Sequence, residues 1–247
     1  MLLNRFTQEE IVPCAYPEDM RKLTVRLAAN QVLFKGQIIA EVTAANASEV
    51  QTITGGGTIS SGTWALIVNK ALTAAIAWNA NAAAVKAAIE AALTRDYGLP
   101  AGTVNVTGGP LASGAFTITF AGVLANQPQD LIQAVNNLGG SSPTLTVAET
   151  TPGVANGFFM AYNDALSNGQ QIAKGILPID IATDPSGRIT TGSIAVGNEH
   201  GGTKLEQSMI VRGMFRTEDL VGLDANAVTD LGRLVRGTTS SGILQLY

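Results

Sequence analysis

The side chains that could do chemistry are few and stand far apart. One histidine, His200, and one cysteine, Cys14, occur in 247 residues. A Ser-His-Asp or Cys-His centre would have to run through His200, and a single imidazole cannot build a His-based metal site by itself. His200 lies in the run GNEHGGTK, residues 197–204. This polar, glycine-rich text reads as an exposed loop, so a surface position is expected; a catalytic role would need a named partner. The same run fails as a phosphate loop, which requires Lys directly after the last glycine and then Ser or Thr, whereas here Thr203 precedes Lys204. Gly55, Gly56 and Gly57 lack the spacing of a dinucleotide fingerprint and are expected to form a flexible turn. Carboxylates are scattered. Glu9 and Glu10 sit near the start, and Glu218 and Asp219 precede a helical stretch whose N-terminus they are expected to favour. Two-carboxylate sugar cleavage needs a facing pair, and nothing in the sequence points to one. The expectation is a protein without enzymatic activity: no catalytic residues, no metal site, no cofactor.

The aromatic and sulfur side chains read as core. Met160, Met209 and Met214 with Phe158, Phe159 and Phe215 are expected to fill it. Trp64 and Trp78 are expected to anchor the middle of the chain, an exposed aromatic platform for sugar being the alternative.

Composition narrows the field further. Charged residues make up 14% and hydrophobic ones 46%, with a formal net charge of -4; an average domain carries about 25% charged residues. So little charge implies a surface rich in Thr, Ser, Asn, Gln and Gly, or one covered by partners. No Lys/Arg stripe is present, so nucleic acid is not an expected partner. Cys14 can form no internal disulfide. The opening MLLNRFTQEE does not read as a secretory signal, because Asn4 and Arg5 cut its apolar start. The apolar stretch from Ala71 to Leu93 is interrupted by Asn79, Asn81, Lys86 and Glu90, so no membrane span is expected. A soluble chain made in the cytoplasm is the expectation.

Three texts follow one another along the chain. Residues 1–20 show neither helical nor strand period and read as an extended arm, with Leu2, Leu3, Phe6, Ile11, Val12 and Tyr16 as candidate anchors on a binding surface; a frayed terminus is the alternative. Leu23, Val25 and Leu27 alternate with Thr24 and Arg26 in strand period, and a second strand is expected over residues 38–42. Residues 49–151 form a separate α+β module, with seven charged residues between Val50 and Thr150. In it, residues 63–68 and 71–76 are strand candidates. A helix over 81–93 is expected to place Val85, Ile89 and Leu93 on one face behind an Asn cap. Val104/Val106, Phe116/Ile118/Phe120 and Leu145/Val147 suggest further strands. Termini close together would suit an insertion. From Phe158 on, strand text resumes over 171–181, with a turn at 184–187. A strand over 209–215 comes next. A helix capped by Asp224 is expected to bury Val228, Leu231, Leu234 and Val235 and to end at Gly237, before a last short strand at 243–246. The domains are thus an arm (1–20), a discontinuous domain (21–48 and 152–247) and an inserted module (49–151). The fold class is β-rich α+β.

The outer parts resemble the lambdoid bacteriophage head-decoration (capsid decoration) family. The resemblance rests on ordered phrases: GQIIAEVTA (residues 36–44), NGQQIAKGILPIDIAT (168–183), VRGMF (211–215) and LDANAVTDLGRLVRGTTSSGILQL (223–246). Together they lie within about half of the chain. The sequence departs from the family pattern by placing the whole middle module between the first phrase and the second. That module is itself similar to a repeat of phage structural proteins and large bacterial surface proteins, through NANAAAVKAAIEAAL, VNVTGG and FTITFAG.

The resemblance implies a small β-barrel-like decoration domain with one C-terminal helix, interrupted by the compact α+β insertion. It implies a homotrimer on the outer surface of the mature capsid, with the major capsid protein as partner, and hence a location in the virion after synthesis in the bacterial host cytoplasm. The arm would bind the capsid. The module would project outward and offer, at most, weak host-surface or glycan contact. A tail or fibre component with a host-surface-binding module is the alternative.

Overall fold

The computed structural model describes residues 21–191, 206–238 and 241–246. The chain is β-rich α+β, with sixteen strands and two α-helices among the described residues. It begins with β1 (Arg21–Arg26), β2 (Val32–Leu33) and β3 (Ile38–Glu41). It continues through β4 (Val50–Val68), β5 (Ala71–Leu72), β6 (Ile76–Ala77), α1 (Ala82–Tyr97), β7 (Val104–Gly108), β8 (Ala115–Phe120) and β9 (Gln133–Thr151). The return half holds β10 (Phe159–Ala161), β11 (Ala173–Ile176), β12 (Ile181–Thr183), β13 (Ile189–Thr191), β14 (Glu206–Arg216), α2 (Ala225–Leu231), β15 (Gly232–Thr238) and β16 (Ser241–Leu246). The chain divides into two compact units, residues 45–155 and residues 1–44 with 156–247.

Residues 45–155 form one sheet with a helix on its inner face. β4 is its spine: β9 pairs along one side, and β8, β6 and β5 pair in turn along the other, with β7 beyond β8. The alternation of β8 is strict, with Phe116, Ile118 and Phe120 buried between half-buried neighbours, as a strand with one core face requires. Asn81 caps α1 by accepting from the Ala84 N–H at 2.9 Å, and Gly98 closes it in the left-handed region. The helix buries Val85, Ile89 and Leu93 as their spacing predicts, and Ala92 with them.

Two differences from the sequence reading concern β4. Gly55, Gly56 and Gly57 lie inside this 19-residue strand instead of forming a turn. The ladder to β9 tolerates them through a register shift between Gly56 and Thr58, which is a bulge. Gly57 has φ +70, and a Cβ there would stand 2.2 Å from the Ser142 carbonyl oxygen, so glycine here permits close approach of two strands in place of the expected turn. The second strand candidate, 71–76, is two short strands. The Thr73 hydroxyl accepts from the Leu66 N–H at 2.9 Å, an extra side-chain bond at the point where the ladder breaks. Asn69 and Lys70 both have positive φ and make the two-residue reversal from β4 into β5.

The other unit is built from segments distant in sequence. Its larger sheet runs β10-β3-β11-β14-β16-β15, with β1 also on β14, and its smaller one runs β13-β12-β2. Ile38, Ile39 and Ala40 are all buried, as a strand covered on both faces requires. Val25 and Leu27 face the core while Leu23 is exposed. The expected strand over 171–181 is divided: β11 joins the larger sheet and β12 the smaller, with Pro178, which has no N–H for a ladder, between them. The turn at 184–187 is present, and the Asp184 Oδ1 accepts from Ser186 and Arg188 N–H at 2.8 and 2.9 Å.

The C-terminal helix is shorter than the sequence suggests. It starts at the Asp224 cap, whose Oδ1 accepts from the Ala227 N–H at 2.7 Å, but ends at Leu231. Leu234 and Val235 belong to β15, where Leu234 stands opposite Leu244. Gly232 stops the helix, and the residues after it pair with β16 in preference to extending it, with a register shift between Leu234 and Arg236.

Candidate functional site

The proposed arm anchors Leu2, Leu3, Phe6, Ile11, Val12 and Tyr16 lie outside the described residues, as do Cys14, His200 and the whole run 197–204. Glu218 and Asp219 are described, and they do not serve a helix N-terminus. They sit in a 3-10 turn and both pair with Arg216, at 3.1 and 3.2 Å. Helix α2 begins only at Ala225 with Asp224 as its cap. Among the described residues no group of three or more His, Cys, Asp or Glu side chains is placed to hold a metal ion, and no helix is long and apolar enough to cross a membrane.

Trp64 is core: it is 1% exposed, stacks on Phe116 with ring centroids 5.7 Å apart, and donates its indole N–H to the Ala77 carbonyl. It cannot offer a face to a sugar. Trp78 is half-buried against the same cluster. Phe215 and Met209 are buried in the other unit, and Phe158 is half-buried with the Arg26 guanidinium over its ring at 5.4 Å.

A polar cluster inside residues 45–155 was not anticipated. Glu49 is 2% exposed, and Gln51 is fully buried. The Glu49 carboxylate accepts from the Gln129 N–H at 2.6 Å and from the Gln51 side-chain amide. Gln51 also donates to the Asp130 carbonyl and accepts from the Ile132 N–H at 2.8 Å. Asn69 donates to the Gln129 side chain at 2.8 Å and accepts from the Asp130 N–H. The cluster fastens the segment between β8 and β9 to the sheet. Burial pushes the Glu49 carboxyl above its ordinary range, against the opposing pull of the Gln129 N–H and the Gln51 amide. Every group is engaged, which makes this a structural lock and not an open site. Strand parity was the available signal: Gln51 is in phase with Ile53, so its side chain had to point inward.

The face of the same sheet opposite the helix is the best-developed open surface. Because Ile53, Val104, Val106, Phe116, Ile118, Leu145 and Val147 face the core, their neighbours face away: Thr52 and Thr54, Asn105 and Thr107, Thr117 and Thr119, Thr144 and Thr146. In register, Thr107 stands beside Thr117, Thr117 beside Thr52, and Thr54 beside Thr146. The result is a lattice of uncharged hydroxyl and methyl groups on four strands spaced about 4.8 Å apart.

In the other unit, β2 is an edge strand; Val32 within it and Phe34 just after it are 62% and 55% exposed. Exposed apolar side chains on an unpaired edge mark a place for contact with another chain.

The sequence matches no known family model and no curated relative. A solved structure from Mycobacterium phage Patience aligns at 22% identity over 53% of this chain and 51% of that one, with a TM-score of 0.28. The aligned part is thus about half the length of that protein.

Proposed function

We propose that this chain is a non-enzymatic structural protein of a bacteriophage virion that binds the outer surface of the mature capsid as a trimer and stabilises it. One observation carries the reading. The phrases that resemble the lambdoid decoration family are split in sequence by residues 45–155, yet their strands are neighbours. Residues 36–44 contain β3, residues 168–183 contain β11, residues 211–215 lie in β14, and residues 223–246 contain α2, β15 and β16. The ladder order β3-β11-β14-β16-β15 joins these strands in one sheet without a strand from 45–155, while residues 181–183 of the second phrase form β12 in the smaller sheet. A module spliced into an existing decoration domain would leave this arrangement, and the β-barrel-like character of that domain belongs to the same proposal.

The arm supplies attachment. An extended segment can add a strand to an exposed sheet edge of the capsid lattice through main-chain hydrogen bonds. Ordering it costs entropy, so a single arm binds weakly, whereas three arms on one trimer act together through high effective concentration. If the accepting edge exists only in the expanded lattice, binding favours that state by its differential affinity. The partners are the major capsid protein and two further copies of this chain, with neither nucleic acid nor membrane involved.

The test is solution mass together with co-sedimentation. A trimer that pellets with expanded heads and ignores unexpanded ones supports the reading, and loss of pelleting on deletion of residues 1–20 assigns attachment to the arm. A monomer that ignores heads overturns it.

The threonine lattice favours a second reading, a tail or fibre component whose module meets a host surface. Such a face, without charge, suits a neutral glycan. Few copies at one place on the particle, and binding of residues 45–155 to cells, would replace the first reading with this one.

A further inference from the structure

The chain passes into the unit 45–155 through Thr43 and Ala44, and the structure holds these two residues on both sides. Their carbonyl oxygens accept from the side-chain amide of Asn156, at 2.9 and 2.8 Å. Their N–H groups donate to the backbone carbonyl of Asn168, at 2.8 and 3.0 Å. Both asparagines are followed by glycine, and Asn-Gly is the dipeptide in which the asparagine side chain most readily cyclises, because the next residue has no Cβ to shield its backbone nitrogen.

We propose that Asn156–Gly157 is a self-modification site which the folded chain holds in check, and that its deamidation loosens the strap leading into residues 45–155. The chemistry needs only water. The Gly157 nitrogen, having given its proton to hydroxide, attacks Cγ of Asn156. A C–N bond closes the succinimide, and Nδ2 takes a proton from water and leaves as ammonia. Water then opens the ring at either carbonyl, giving aspartate or isoaspartate.

Exposure does not prevent this, since Asn156 and Gly157 are both exposed. Geometry does. The Gly157 N–H donates to the Val42 carbonyl at 2.8 Å, and Nδ2, the leaving group, is fixed on two carbonyls. Both reacting groups must release their partners before they can meet. The same geometry selects the labile pair. Gly157 has φ +77, a conformation that favours glycine, and two carbonyls facing one side chain call for the two N–H donors of an amide. The product has no donor. Its carboxylate faces the oxygens of Thr43 and Ala44, exchanging two hydrogen bonds for repulsion.

Asn168–Gly169 supplies an internal control, because its guard is a side chain: the Gly169 N–H donates to the Gln171 Oε1 at 2.8 Å. Full-length protein is incubated in mildly alkaline buffer, native and in urea, and each Asn-Gly pair is followed by peptide mass spectrometry. Reaction through a local opening should make the native rate at Asn156 slower than the unfolded rate by more than about tenfold. Gln171→Ala should speed reaction at Asn168 several-fold and leave Asn156 unchanged. Asn156→Asp should raise amide hydrogen exchange at Thr43, Ala44 and Gly157 without altering it at Ile118 or Ile39. Equal native and unfolded rates at Asn156 would overturn the check, and unchanged exchange in Asn156→Asp would overturn the loosening.

Discussion

The unit 45–155 draws its whole sheet and helix from one uninterrupted stretch, whereas the other unit joins strands nearly the length of the chain apart, Arg21 standing opposite Arg212. The first can complete its core without the rest. The second can close β1 on β14 and β3 on β11 only across everything between them. That closure is less costly than the sequence separation suggests. Ala47 bridges Val154, and Val50 pairs with Thr151, so once residues 45–155 fold their ends are together and the outer unit sees a short connection. Residues 45–155 can interrupt the other unit because their own sheet brings their ends together.

The contrast can be tested separately in each half, because both tryptophans, Trp64 and Trp78, lie in 45–155 and their fluorescence reports that unit. The largest effects should come from core truncation. Trp64→Ala and Phe215→Ala each remove a side chain that is almost fully buried and should each cost about 3–5 kcal/mol. In urea unfolding, the second should leave the tryptophan transition in place while lowering the midpoint seen by far-ultraviolet circular dichroism. If Phe215→Ala moves both transitions equally, the two units unfold as one.

The buried carboxyl should give the next effect. Since burial raises the Glu49 pKa in the folded state, the native state favours the protonated form. The contribution to stability is therefore full below the ordinary carboxyl pKa and is lost as pH rises through the raised value. The tryptophan-monitored midpoint should fall across that window. Glu49→Gln should flatten the dependence at a cost of about 1–3 kcal/mol, because an amide has one oxygen to meet two donors.

Helix caps follow. Asp224→Ala removes the α2 cap and the acceptor of the Tyr162 hydroxyl, 3.0 Å away, and should cost about 1–2 kcal/mol in the outer unit. Burial and that carboxylate hold the Tyr162 phenol above its ordinary range, so it remains a donor. Asn81→Ala should cost about 1 kcal/mol and appear in the tryptophan signal. Smallest is Lys86→Ala, which removes an i,i+4 pair 3.7 Å from Glu90 and should cost no more than about 0.5 kcal/mol.

Legibility in the sequence followed the periodicity of single elements. Phe116, Ile118 and Phe120, the Asn81 cap, and the Val85, Ile89, Leu93 face were readable because local spacing determines them. The glycines of β4 were not, since their role depends on Ser142 and Thr144 on a partner strand far away in sequence. The end of α2 was misjudged because Leu234 and Val235 suit a helix face as well as a strand, and only β16 decides between them. The threonine face follows from the same alternation as the core but becomes a surface only once four strands are placed in register. The clasp on Thr43 and Ala44 could not be read at all, because backbone carbonyls leave no trace in residue type.

The long ladder of β4 and β9 also sets how residues 45–155 would carry load. Tension that draws Ala45 and Ala155 apart peels the two strands from their paired ends, stressing one rung at a time, and opens them at modest force. Tension along the strands, applied between Asn69 beyond the far end of β4 and Ala155 beyond the near end of β9, loads the rungs of the ladder together in shear. The module is thus soft when prised at its root and stiff when pulled lengthwise.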